Sequence, residues 1–152
     1  VALIVGLGEA ARITSGALQH GARERMARIR DGFELRLREL LPEVIFTATK
    51  TPRLANTSHL MIKNVLGSEI VKELAARDML ISAGSACKTG SMEPSRVLTA
   101  MGFGTLDTLS ALRVSFSPHS SAPEAQCLAE AIAQAVLSSH KAHLHELRKV
   151  KE

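Results

Sequence analysis

The stretch Ser82-Ala83-Gly84-Ser85-Ala86-Cys87-Lys88-Thr89-Gly90-Ser91-Met92-Glu93-Pro94-Ser95 sets one cysteine among small residues. It follows the apolar run 79–83 and precedes a proline suited to the first turn of a helix, where the missing N–H would be unpaired anyway. Most cysteines in water-soluble proteins are packed inside. One surrounded by Gly84, Ser85, Gly90 and Ser91 can be reached by another molecule, and Lys88 adds positive charge that favours the thiolate. Two readings are open from spacing alone: a reactive thiol, or a strand-to-helix connection that happens to contain a cysteine.

Working outward, residues 2–15 are rich in Ala, Leu and Ile and predict a helix. Residues 20–41 predict a second, because Met26, Ile29, Phe33, Leu37 and Leu40 recur at helical spacing. Arg23, Arg25, Arg28, Arg30, Arg36 and Arg38 alternate there with Glu24, Asp31, Glu34 and Glu39, as on a solvated helix face. Pro42 ends this helix. Residues 44–48 and 54–62 are β-favouring and are separated by Pro52. A helix follows from Gly67-Ser68, with Ser68 as N-cap and Ile70, Val71, Leu74 and Ala75 on its apolar face. Residues 79–83 form a third strand.

Past the cysteine loop, a helix opens at Pro94 and stops at Gly102, and 105–110 gives another turn or two. Residues 112–116 alternate as a strand, with Arg113 and Ser115 opposite Leu112, Val114 and Phe116. Ser120 or Ser121 caps the last helix, which carries Leu128, Ile132 and Val136 and frays beyond Ser138. The order αα-ββ-α-β-α-β-α predicts a two-layer α/β domain, a small sheet covered by helices.

The bulk properties narrow the function classes. A chain of 152 residues with 45% hydrophobic and 22% charged residues is globular and long enough for a real core. With no Trp, no Tyr and four Phe, an aliphatic core is expected and a base-stacking platform is not. The net charge of +4 comes from interleaved signs, so neither a nucleic-acid partner nor a membrane is expected. Cys87 and Cys127 do not suggest a disulfide framework, which fits a reducing compartment. The apolar opening at residues 1–7 reads as a piece of something longer.

At these residues the chain resembles the C-terminal part of a cysteine desulfurase, a pyridoxal-phosphate enzyme of the aminotransferase class-V type. Residues 1–11, with Gly6-Leu7-Gly8, resemble the helix after that family's Gly-Thr-Glu-Asn motif. Residues 82–95 resemble the loop Ser-x-Gly-Ser-Ala-Cys-x-x-Gly-Ser-x-Glu-Pro-Ser, and Ala111-Leu112-Arg113-Val114-Ser115 resembles a strand carrying a substrate-binding arginine.

The resemblance implies the small domain of the aspartate-aminotransferase fold (PLP fold type I) over residues 1–152, with a short, mainly antiparallel sheet covered by helices. The cofactor-binding large domain is then absent. It implies removal of sulfur from L-cysteine to give L-alanine and a persulfide on Cys87, the catalytic residue. The sulfur passes to an acceptor such as an iron–sulfur scaffold protein. Arg113 binds the substrate carboxylate. The cofactor is pyridoxal 5'-phosphate, which this chain alone is not expected to hold because the Schiff-base lysine is missing. The chain alone is expected to be inactive, and the complete protein to be a homodimer in the cytoplasm, or in a mitochondrion or plastid. A selenocysteine lyase and a non-catalytic thiol-relay module are the alternatives.

Several features resist that pattern or imitate others. Ser117-Pro118-His119 replaces the Gly-Arg that many relatives carry after the strand. Ser139-His140-Lys141 mimics the family's cofactor motif but lies after the cysteine loop rather than before it. His140, His143 and His145 do not share one helical face, so no metal site is expected and the segment reads as a solvated tail. Asn56 reads as structural, Cys127 as a core residue of the last helix, and His59 as packed or partly exposed.

Overall fold

The computed structural model describes residues 1–83 and 94–149, with side chains described as far as residue 141. Its elements run α1 (Ala2–Gln19), α2 (Ala22–Leu40), β1 (Ile45–Phe46), β2 (Thr57–Met61), α3 (Gly67–Ala75), β3 (Ser82–Ala83), α4 (Arg96–Ala100), α5 (Thr105–Leu109), β4 (Leu112–Ser115) and α6 (Ala122–Lys149). The strands form one sheet in the order β1-β2-β4-β3, and every pairing is antiparallel. The expected α/β order and antiparallel sheet are both present.

Helices α2, α3 and α6 cover one face of the sheet. Ile29, Phe33 and Leu37 of α2 are buried at a four-residue interval, and so are Ile70 and Leu74 of α3. They meet Leu60, Leu112, Val114 and Ile132 in the main core. Small residues at Ala125, Ala129, Ala133 and Ala135 are buried along α6, where a larger side chain would hold the helix off α2. The core is not wholly aliphatic: Phe33, Phe46 and Phe116 belong to it, and Phe33 meets Phe116 edge to face at 5.6 Å.

Local signals fix the element ends. Gly21, at φ 76°, separates α1 from α2 in a conformation that side chains with a Cβ resist. Ser95 caps α4 by accepting from the Leu98 N–H, and Gly102 at φ 90° follows its end. Ser121 and Glu124 cap α6 reciprocally: the Ser121 N–H donates to Glu124 Oε2 at 2.8 Å, and the Glu124 N–H donates to Ser121 Oγ at 3.4 Å.

Four expectations are corrected. Leu66, not Ser68, is the N-cap of α3, because Gly67 starts the helix where only a hydrogen fits: a Cβ there would lie 2.7 Å from the Ala111 carbonyl oxygen. The strands are shorter than predicted: pairing covers only 45–46, 57–61, 82–83 and 112–115. Helix α6 does not fray at Ser138 but runs to Lys149, through Ala, Leu, Glu, Arg and Lys, all good helix formers. Finally, α2 is not solvated all along its charged face, because Arg30 and Glu34 are buried.

Helix α1 has no buried residue, and Leu3, Ile4 and Leu7 are exposed by 91%, 74% and 72%. Among the described residues, no helix is long and apolar enough to cross a membrane.

Candidate functional site

The sheet face opposite α2 and α6 carries the polar side chains. In β2 and β4, Ser58, Leu60, Leu112 and Val114 turn into the core, and the period of two sends Thr57, His59, Arg113 and Ser115 the other way. Register aligns them: His59 is paired with Arg113, Thr57 with Ser115, and Ser82 of β3 with Arg113. The Thr47 N–H donates to the His59 carbonyl at 3.0 Å. Thr47, His59, Arg113 and Ser82 therefore form a row across four neighbouring chain segments.

Arg113 is exposed, and among the described residues its guanidinium has no carboxylate partner. Arg12, Arg30, Arg36, Arg53 and Arg77 all have one. His59 is half-buried, and its Nδ1 lies 3.0 Å from Thr47 Oγ1. Burial, and then the charge of Arg113, hold its imidazole below the usual histidine range. The row thus presents a cation, a neutral imidazole and two hydroxyls, a set suited to gripping a carboxylate.

The opposite face holds that register. Glu34 is buried, accepts from the Ser58 hydroxyl at 2.7 Å, and takes a two-pronged bond from Arg53 at 2.6 and 2.8 Å. Arg30 donates to the Leu54 carbonyl at 2.8 Å. These bonds tie the segment before β2 to α2. Asn56 closes the far end: its Nδ2 donates to the Phe116 carbonyl at 3.2 Å, while the Phe116 N–H donates back to the Asn56 carbonyl at 2.8 Å. The structural reading of Asn56 agrees with these bonds.

Cys87 lies outside the described residues. Strand β3, paired beside Arg113, ends at Ala83, and the description resumes at Pro94. Cys127 is corrected: it is exposed, not in the core, because the buried stripe of α6 runs through Ala125, Ala129, Ile132 and Val136. It borders a groove of about 450 Å³ with Met79, Leu80, Phe116 and Leu128. His140 also departs from the solvated tail, since it is half-buried and its Nε2 is shielded from solvent, with no partner among the described residues. The side chains of His143 and His145 lie outside the described residues. Among the described residues no group of acidic, His and Cys side chains could hold a metal.

The Glu34–Arg53–Ser58 cluster was not foreseen. A serine in the inward register of β2 was its one visible signal. A pyridoxal phosphate needs a lysine amine for its imine and donors around its phosphate. None of the four strands contains a lysine, so the described sheet face fits a carboxylate and does not by itself fit that cofactor.

The antiparallel four-stranded sheet thus carries α2, α3 and α6 on one face, and on the other the row Thr47, His59, Arg113 and Ser82 beside the smaller cluster of Met61, Leu98 and Phe103. A family model for aminotransferase class-V matches residues 1–128, and the chain belongs to that family. The cysteine desulfurase of Trichormus azollae is 37% identical over 99 residues, covering 65% of this chain and 24% of that protein. The cysteine desulfurase IscS of Stutzerimonas stutzeri is 32% identical over 133 residues, covering 88% and 32%. That of Bradyrhizobium diazoefficiens is 33% identical over 146 residues, covering 94% and 37%. The chain thus spans 24–37% of the length of these relatives. Two solved NifS-like proteins share the fold. One, from Rickettsia africae, aligns at TM-score 0.65 with 22% identity over 75% of this chain and 29% of that one. The other aligns at 0.70 with 24% identity over 89% and 33%.

Proposed function

We propose that this chain is the C-terminal small domain of a cysteine desulfurase, and that the whole protein converts L-cysteine to L-alanine with transfer of sulfur to Cys87. The carrying observation is the exposed Arg113, without a carboxylate partner among the described residues, next to the strand whose continuation bears Cys87. Four peptide units separate Ala83 from Cys87, and a chain of that length reaches at most about 14 Å.

In the net reaction the Cys87 sulfur forms a bond to the substrate sulfur, and the substrate carbon–sulfur bond breaks. The thiol hydrogens redistribute so that L-cysteine and a thiol become L-alanine and a persulfide; no outside oxidant or reductant is needed. Arg113 anchors the substrate by its carboxylate and fixes which end faces the thiol. Pyridoxal phosphate, if held by a large domain outside this chain, would supply the electron-withdrawing ring for such chemistry. The exposed apolar side chains of α1 support a further domain packed there, since so large an apolar surface is unusual in isolation. A homodimer in a reducing compartment, handing its sulfur to an acceptor protein, completes the reading.

The test is to supply L-cysteine to the whole protein and measure alanine and protein-bound persulfide together. Equimolar formation of both supports the proposal, and alanine release from selenocysteine alone would favour a selenocysteine lyase. Absence of both products overturns it.

A further inference from the structure

We propose that His59 is a second donor to the carboxylate held by Arg113, and so a determinant of specificity for amino acids over simple amines. The inference rests on the assignment of Arg113 above. Its starting point is register. His59 and Arg113 are directly opposed in an antiparallel pair and face the same open side, so their Cβ atoms lie about 4.5–5.5 Å apart. An anion resting on the guanidinium of one is within reach of the ring of the other.

The ring is also prepared as a donor. Thr47 Oγ1 lies 3.0 Å from Nδ1, and Thr47 itself is held by its N–H to the His59 carbonyl at 3.0 Å. Either atom can donate in this contact; we take the tautomer in which the Thr47 hydroxyl donates and Nδ1 accepts. In a neutral imidazole the proton then sits on Nε2. Among the described residues Nε2 has no partner, and it is not one of the buried unpaired atoms. It is an N–H with its orientation fixed and its acceptor still to come.

A carboxylate has room for it. The anion offers about four lone-pair sites, of which a two-pronged arginine takes two. A neutral donor beside a cation adds a bond without adding repulsion, which a second positive charge there would bring.

The experiment compares equilibrium binding of L-alanine, which carries the carboxylate, with binding of ethylamine, which lacks it. Calorimetry on the whole holoenzyme reads both, in wild type, His59→Ala, His59→Gln and Arg113→Ala. The proposal expects His59→Ala to weaken L-alanine about ten-fold, the scale of one hydrogen bond to a charged group, with ethylamine unmoved. His59→Gln, whose amide restores an outward N–H, should recover most of that loss. A general structural disturbance would weaken both ligands and would overturn the proposal. So would an unchanged L-alanine affinity in His59→Ala alongside a large loss in Arg113→Ala, which leaves the Arg113 assignment standing. If Arg113→Ala also binds L-alanine as wild type does, that assignment fails and the inference falls with it.

Discussion

Ser82 and Arg113 are register partners across β3 and β4, so the strand that leads toward Cys87 runs alongside the guanidinium assigned to the substrate. This one pairing brings Ser82, the first residue of the cysteine motif, to the sheet face that carries Arg113. It also explains why a strand only two residues long matters: its pairing sets where the cysteine segment departs.

The first prediction concerns that guanidinium. In the whole enzyme, Arg113→Lys should raise KM for L-cysteine about ten-fold and Arg113→Ala about a hundred-fold, because lysine cannot reproduce a planar two-pronged grip. Steady-state alanine release over a range of L-cysteine concentrations measures it. A KM equal to that of wild type would remove Arg113 from carboxylate binding.

A second prediction follows from the close approach at the start of α3. Gly67→Ala places a methyl group 2.7 Å from the Ala111 carbonyl oxygen and 3.3 Å from Leu112 Cδ2. The carbonyl is backbone leading into β4, so it cannot swing aside. A loss of about 1–3 kcal/mol is expected, read as a lower denaturant midpoint with unchanged slope. Full stability in this variant would mean that α3 can slide along the sheet.

The buried carboxylate supplies a third. Glu34→Ala leaves the Arg53 guanidinium and the Ser58 hydroxyl without the partner that holds both, at a cost of about 2–4 kcal/mol. Ser58→Ala should cost about 1 kcal/mol, and the double variant less than the sum, because the residues share one network. Strict additivity would show that they act separately.

The fourth uses pH. His59 titrates lower in the folded protein than its ordinary value of 6.5, through burial first and Arg113 second. The unfolded chain therefore binds a proton that the folded one refuses. His59 accordingly lends stability fully present above pH 6.5 and lost as pH falls toward its lowered folded value. Thermal midpoints taken between pH 7 and pH 5 should fall less steeply in His59→Gln than in wild type. Parallel curves for the two would place the lowered titration elsewhere.

Much of this was legible in the residues. Recurrence of Ile29, Phe33 and Leu37 every four residues gave α2 its buried side, and alternation around Arg113 gave β4 its two faces. Both are periodic signals that depend on geometry within one element. What stayed hidden depends on contacts between elements. Glu34 and Arg30 look like any charges on a solvated helix until Arg53, Ser58 and the Leu54 carbonyl come against them. Cys127 beside Leu128 looks like core until the stripe of alanines shows which way α6 is turned. His59 gained meaning only from the register that sets it across from Arg113, since nothing local to either strand announces that pairing.

The most direct measurement is mass spectrometry of the whole enzyme after a single turnover with L-cysteine, with peptides mapped for one added sulfur atom. The account predicts that sulfur on the peptide containing Cys87, its loss in Cys87→Ser with cofactor absorbance unchanged, and none on Cys127. Persulfide on Cys127, or full sulfur transfer by the Cys87→Ser enzyme, would contradict it.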